Sequence, residues 1–375
     1  MPGTVLFTAS TWSHIANFHR PYLRAFRALG WSVHAACGGE VREIPEADLC
    51  VQLPFEKKMT APANFQAQAQ LRRLMEQYRY DLVCTHTSLA AFFTRRAAAG
   101  VRPRPKVVNM VHGYLFDDET PALKKNILLA AERLTAGQTD LLLTMNQWDY
   151  AAARKGRLGR RVENIPGIGV DFDRFPPVPP ERRSALRRSH GIAPGDFLLL
   201  YAAEFSSRKN QAMLLRAMPR LPASVKLALP GQGALLDACR SLAHELGIGD
   251  RVLFPGHVAM PDWYAMADAA VSSSRSEGLP FNVMEAMYAG LPVAASAVKG
   301  HTDLIADGVT GLLFPFNDEA AFAEAIGRLL DHPEQAAAMG AAAHAAMAPY
   351  SLEQVLPQVM ELYLSASEKS SLPEH

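Results

Sequence analysis

Nothing in this sequence runs apolar for the roughly 18 residues that a membrane-spanning helix needs. Cysteine is scarce as well. Cys37, Cys50, Cys84 and Cys239 are the only four in 375 residues, and no two form a C-x-x-C pair. That spacing argues against a disulfide scaffold or a zinc ribbon and for reduced core thiols. The opening stretch MPGTVLFTAS lacks the charged start and long apolar core of a signal peptide. The expectation is a cytoplasmic protein, at most at the inner face of the cytoplasmic membrane. A basic run interleaved with aromatic residues is also missing, so nucleic acid is not an expected partner.

What is present is an ordinary globular balance, 49% hydrophobic and 20% charged. The net charge of +1 conceals an asymmetry. Residues 1–165 carry 22 Lys and Arg against 14 Asp and Glu, a balance of +8, whereas the remainder carries 16 against 23, a balance of −7. A basic N-terminal half suits anionic lipid or a phosphorylated acceptor, and equally suits the scattered surface arginines of an Ala- and Arg-rich protein.

A chain of this length predicts two domains. Short apolar runs at Val5–Ala9, Val33–Cys37, Leu82–Thr85, Val107–Val111 and Leu141–Thr144 alternate with helical patterns such as Asn17–Leu29, with Asn17 as its N-cap, and Asn64–Tyr78. Runs without polar alternation predict strands covered on both faces, as in a parallel doubly wound sheet. Prolines then crowd at Pro166, Pro176, Pro177, Pro179 and Pro180. They place a linker over 166–180, between an N-terminal domain 1–165 and a C-terminal domain 181–345. The alternation resumes with strand-like runs at Phe197–Ala203, Val225–Leu229, Val252–Phe254, Ala269–Ser273, Pro292–Ala295 and Gly311–Pro315. Consecutive helices follow to about Ala366, residues 346–375 being a C-terminal helix, which could pack back on the first domain, and a frayed polar tail. Two Rossmann-like domains create a cleft between the carboxyl ends of their sheets, where ligands bind.

The densest signal is Ser274-Arg275-Ser276-Glu277-Gly278-Leu279-Pro280-Phe281-Asn282-Val283-Met284-Glu285-Ala286. It follows a predicted strand. Pro280 suits the first turn of a helix ending near Ala289, with Gly290 as its stop and Glu285 about two turns in. Two carboxylates so placed can grip two hydroxylated parts of one ligand. Singly, Glu277 reads as an acid favoured by the helix dipole and Glu285 as a solvated helical residue.

The E-G-x-P start, with a second Glu eight positions on, resembles the E-x7-E signature of family 4 glycosyltransferases, which are retaining enzymes of the GT-B fold. Ala203-Glu204-Phe205-Ser206-Ser207-Arg208-Lys209-Asn210-Gln211 resembles the strand–loop–helix that holds the donor diphosphate, although Ala203-Glu204 stands where Gly-Arg is common. Gly290-Leu291-Pro292-Val293 and Gly308-Val309-Thr310-Gly311-Leu312-Leu313 resemble the closing strands. The resemblance implies that Arg208 and Lys209 bind the diphosphate and that Glu285 takes the ribose hydroxyls. Glu277 would contact the transferred sugar beside the backbone N–H groups of Gly278 and Leu279. Gly231 and Gly233 would allow close nucleotide approach, and His257 and Val258 would read the base.

In the first half, Ser10–Pro21, Val111-His112-Gly113-Tyr114, Ala131-Glu132-Arg133, Thr144-Met145-Asn146 and Pro166–Asp171 resemble the subset associated with capsular polysaccharide and exopolysaccharide assembly. His112, at a strand's carboxyl end, can contact the sugar or assist proton movement, or pack between strand and helix. His14, Asn17 and His19 are acceptor-side candidates, and Trp12 reads as core or as an acceptor platform. Asp171-Phe172-Asp173 spells D-x-D but falls in the Pro-rich linker, where a structural turn is expected.

The implied reaction is transfer of a hexose from a nucleotide diphosphate sugar, UDP-linked by preference. The acceptor would be a saccharide or a polyprenyl-diphosphate saccharide, with no metal or other cofactor and with peripheral membrane contact through the basic N-terminal domain. The alternatives are a UDP-sugar epimerase of similar two-domain fold, or a non-catalytic nucleotide-sugar-binding scaffold.

Overall fold

The computed structural model describes residues 3–367. The chain divides into two units, one comprising residues up to Gly169 together with those from Glu353, the other Val170–Leu352. The final helix, Leu352–Ser367, thus belongs almost wholly to the first unit: Tyr363 is buried against Phe7, Tyr22 and Phe26. The tail beyond Ser367 lies outside the described residues.

The first unit is built on a seven-stranded, all-parallel sheet. Its strands are β1 (Thr4–Ala9), β2 (Ser32–Gly38), β3 (Leu49–Leu53), β4 (Leu82–His86), β5 (Lys106–Met110), β6 (Leu141–Thr144) and β7 (Arg161–Asn164), in the order β3-β2-β1-β4-β5-β6-β7. The second has a six-stranded parallel sheet of β8 (Phe197–Leu200), β9 (Val225–Ala228), β10 (Val252–Leu253), β11 (Ala269–Ser272), β12 (Val293–Ser296) and β13 (Leu312–Phe314), in the order β10-β9-β8-β11-β12-β13. The expected doubly wound architecture is present in each. Central strands such as β1, β4 and β12 are buried end to end or nearly so, which is why they read as unbroken apolar runs. In both sheets the winding reverses at one point, between β1 and β4 in the first and between β8 and β11 in the second. Ligands of open α/β sheets bind at such points, outside the carboxyl ends of the strands.

Several local expectations need correction. The helix expected over Asn17–Leu29 is two helices, Trp12–Phe18 and Arg20–Ala28, broken at His19; Asn17 lies inside the first and caps nothing. The break follows from Pro21, which has no N–H to continue a helix but suits a first turn. Pro280 is the N-cap, not a first-turn residue, of the helix Phe281–Tyr288, and Glu285 sits little more than one turn in. Gly290 ends that segment with φ +77°, as expected of a C-terminal glycine. Two strands went unanticipated. β3 is only partly buried and β7 is Arg-Val-Glu-Asn at the sheet edge.

Asp171-Phe172-Asp173 enters a short 3-10 turn whose Phe172 ring stacks on Tyr288 at 4.1 Å, the structural turn expected there. Trp12 is core. Cys37, Cys84 and Cys239 are buried free thiols, Cys50 is half-buried, and burial pushes Cys37 up to about 12.

Candidate active site

In the second unit the winding reversal brings together the loops that follow β8 and β11. The first carries Arg208 and Lys209; the second carries Glu277. Lys209 Nζ lies 2.5 Å from Glu277 Oε1 and Arg208 Nη1 lies 2.8 Å from Oε2. Glu277 and the Lys209 side chain are almost entirely buried, whereas the Arg208 side chain is 47% exposed. Burial alone would raise the Glu277 carboxyl, but the Lys209 ammonium and the Arg208 guanidinium outweigh it and hold the group at about 2. The loops are locked to one another. Ser273 Oγ donates to the carbonyls of Lys209 and Asn210, and Tyr201 Oη donates to Lys209 O at 3.1 Å. The Arg275 amide donates to Arg208 O at 2.8 Å. Two cations against one carboxylate give the cluster a formal charge of +1, at the start of a helix whose amides also favour an anion.

Gly278 and Leu279 follow Glu277 and are buried with it. Glu285 accepts a hydrogen bond of 2.8 Å from Tyr264 Oη. Burial raises its carboxyl, with the Tyr264 bond and the Arg174 charge opposing. Gly231 and Gly233 adopt φ of +145° and +153°. A Cβ at either would run into the backbone of Ala203 or Phe205, so their local duty is to let the loops after β8 and β9 close on each other. Ala203 N donates to Pro230 O at 3.0 Å and Phe205 N to Gln232 O at 2.9 Å. His257 is exposed and Val258 half-buried, in the loop after β10.

In the first unit the same kind of reversal gathers histidines. His14 lies on the helix Trp12–Phe18 after β1, His19 at the break that follows, His86 at the end of β4 and His112 just beyond β5. His112 Nε2 is 3.2 Å from His14 Nε2 and 3.2 Å from His86 Nδ1, and His19 Nε2 is 3.3 Å from His14 Nε2. Burial drives His14 down to about 4 and holds His19, His86 and His112 well below the ordinary imidazole value. Beside His112 is a cavity of about 40 Å³ bordered by Thr87, Asn109, Gly113, Tyr114 and Glu132. Asn17 is exposed and makes no side-chain bond among those described.

Sequence reading missed Tyr264, which orients Glu285, and His86, the fourth histidine. It also missed Gly300, whose φ of +85° lets its turn pack against Glu277, and the buried His301 beside that carboxylate. Only His86 left a signal, as a polar residue ending a buried strand. The others are brought in by long-range packing.

Comparison with known proteins shows the family. A family model described as glycosyl transferases group 1 matches residues 182–346, and one described as a glycosyl transferase 4-like domain matches residues 15–167. EpsD of Bacillus subtilis (strain 168), provisionally assigned as a glycosyltransferase, is 34% identical over 370 residues, covering 97% of each chain. A D-inositol 3-phosphate glycosyltransferase of Xylanimonas cellulosilytica is 32% identical over 303 residues, 78% of this chain and 68% of that one. Among solved structures, Anabaena Alr3699/HepE in complex with UDP and glucose superposes with a TM-score of 0.82 at 19% identity, covering 97% of this chain and 100% of the other. WaaG, a glycosyltransferase involved in lipopolysaccharide biosynthesis, superposes with a TM-score of 0.76 at 20% identity, covering 96% and 99%.

Proposed function

The chain belongs to the group 1, family 4-like glycosyltransferases of the GT-B fold, and from that premise we propose that it transfers a hexose, with retention, from a UDP-sugar to a saccharide or polyprenyl-diphosphate saccharide in polysaccharide assembly. The observation that carries this reading is the buried Glu277 clamped by Arg208 and Lys209 at the winding reversal of the second sheet. The Anabaena protein held UDP and glucose on the same fold, which supports a UDP-linked donor.

In the proposed reaction the bond from the sugar's anomeric carbon to the diphosphate oxygen breaks. The acceptor oxygen bonds to that carbon on the same face, and its proton passes to the departing diphosphate. Arg208 and Lys209 answer the growing negative charge, so no metal is needed at the diphosphate. Gly278 and Leu279 offer backbone N–H groups to the sugar, and His112 serves the transfer step on the acceptor side. His14 and Asn17 belong with the acceptor, whereas His19 is wholly buried and reaches it only through the His14 ring that it faces. Gly231 and Gly233 hold the nucleotide loop in shape, with His257 and Val258 near the base.

Glu285 is assigned to the ribose hydroxyls. Charged hydrogen bonds of this kind contribute about 1.5–3 kcal/mol, so Glu285→Ala should weaken donor binding by roughly 10- to 150-fold in calorimetric titration. Because burial raises the Glu285 carboxyl, it takes up a proton at higher pH than an ordinary glutamate. Only the carboxylate accepts two hydroxyl bonds, so donor affinity should fall as pH drops through that raised value. In Glu285→Gln the affinity should be flat over the same range. Equal donor affinity in Glu285→Ala would end the ribose assignment.

The membrane side of the reading rests on the helix Ala122–Ala136. It buries Glu132 and Thr135, where Glu132 pairs with the buried Arg95 at 2.9 Å, and exposes Leu123, Ile127 and Leu134 beside the exposed Lys124 and Arg133. Leu128 and Leu129 pack on the core from the inner face, so the helix is apolar on its outer face as well, which suits an anionic lipid surface. No helix among the described residues is long and apolar enough to cross a membrane.

One assay tests the whole. The protein is incubated with a panel of nucleotide sugars, with and without a lipid-diphosphate saccharide in anionic vesicles, and nucleotide diphosphate release is followed. Acceptor-dependent release with one UDP-sugar is expected, and Leu123→Ser/Ile127→Ser should lower turnover on the vesicle-borne acceptor but not on a soluble saccharide. Epimer formation without release would overturn transfer, and donor binding without turnover on any acceptor would favour a scaffold.

A further inference from the structure

We propose that His14, His19, His86 and His112 form a binding site for one divalent transition-metal ion of the zinc class. The site goes beyond the donor chemistry above: it lies in the N-terminal unit and replaces neither Arg208 nor Lys209.

The first support is distance. One ring nitrogen from each of the four histidines lies within 4.8 Å of those of the other three. Zinc–imidazole bonds of about 2.0–2.1 Å in tetrahedral array place neighbouring nitrogens roughly 3.3–3.4 Å apart. Three of the pairs here stand at 3.2, 3.2 and 3.3 Å. The remaining pairs are within 4.8 Å, so an ion would draw those rings inward.

Hydrogen bonding among the rings accounts poorly for this convergence. An imidazole nitrogen has one in-plane site, occupied by a proton or by a lone pair, never both. His14 Nε2 faces both His19 and His112, and His112 Nε2 faces both His14 and His86. Each of these two central atoms therefore has to split one proton or one lone pair between two neighbours. A cation accepts all four lone pairs at once.

The chemistry of the surroundings agrees. His19 and His86 are wholly buried, so their rings are held in place by packing and not by solvent. The His19 and His86 rings lie 3.8 Å apart between centroids, a contact that two imidazolium ions would resist. Phe7 stacks on His86 at 5.7 Å and holds that ring in place. An all-imidazole set suits zinc, nickel, cobalt or copper over magnesium or calcium, which require oxygen ligands. The position is also apt, since the cluster lies at the carboxyl ends of β1, β4 and β5, astride the winding reversal.

The test uses the full chain, freed of any polyhistidine tag, stripped with chelator and titrated separately with Zn²⁺ and Co²⁺. Expected are one tightly held equivalent by elemental analysis, the intense visible bands of four-coordinate cobalt, and a Zn²⁺-dependent rise in Tm. His14→Gln and His19→Gln should each lower the affinity at least roughly 100-fold and abolish the bands, because loss of a ligand exceeds the cost of disturbing a ligand's partner. His14 is only partly buried, on a short helix, so His14→Gln is expected to fold and decides the matter if His19→Gln does not. Binding of well under one equivalent, without cobalt bands, would overturn the proposal. So would wild-type affinity in His14→Gln, which would place the ion elsewhere.

Discussion

Lys209→Met should cost the protein both stability and turnover, and a second substitution should restore only the first. The Lys209 ammonium is the nearer partner of a carboxylate that is 7% exposed, and Arg208, the other partner, is half in solvent. Without Lys209 the buried carboxylate keeps only the half-exposed Arg208, so the cost should approach, without reaching, the roughly 3–5 kcal/mol of an unpaired buried charge. The C-terminal unit should therefore unfold at markedly lower denaturant. Turnover should fall by roughly 10²- to 10³-fold, the loss typical when one preorganised charge-stabilising group is removed from the reacting centre. Adding Glu277→Gln removes the stranded charge, so Lys209→Met/Glu277→Gln should regain most of the stability while staying slow. Recovery of both properties in the double variant would mean that Lys209 serves Glu277 alone and has no part in the diphosphate chemistry. Arg208→Ala should cost less stability, because water already screens its partly exposed head.

The same cluster shows what the sequence could and could not disclose. Glu277, Gly278 and Glu285 lie on one strand-to-helix turn, and the order Glu-Gly-x-Pro is local, so it was legible. That Arg208 and Lys209 close on Glu277 was not. The contact spans 68 and 69 positions and depends on β8 and β11 being neighbours, a matter of sheet topology. The doubly wound pattern was visible because central strands buried on both faces read as apolar runs. β3 and β7 escaped notice because a sheet edge tolerates the polar residues that a central strand cannot. The break at His19 is hidden because the apolar periodicity runs across it, and only Pro21, in the first turn of the second helix, marks it. Gly231 and Gly233 were recognised as special, but the backbone that approaches them most closely is the protein's own, at Ala203 and Phe205. His86 shows the commonest kind of loss. Its neighbours Thr85 and Thr87 say nothing of three other histidines, which β1 and β5 deliver from either side.

His112→Ala should lower kcat by roughly 10²-fold, the loss expected when a group that holds the reacting partners in place is removed, while leaving the donor Kd within about twofold. The split follows from where the groups lie. The residues assigned to diphosphate, ribose and base all belong to the C-terminal unit, and His112 belongs to the other. A residue that supported the donor would change affinity and rate together. Comparison with His19→Gln separates a role for His112 itself from a role through the histidine cluster. Both side chains converge on the same nitrogens, but His19 is wholly buried and His112 borders the cavity formed by Thr87, Asn109 and Gly113. If His112 acts directly on the transfer step, His112→Ala should be slower than His19→Gln by an order of magnitude or more. Equal losses in the two variants would assign the rate to the integrity of the cluster. A matching loss of donor affinity in His112→Ala would remove the residue from the transfer step altogether.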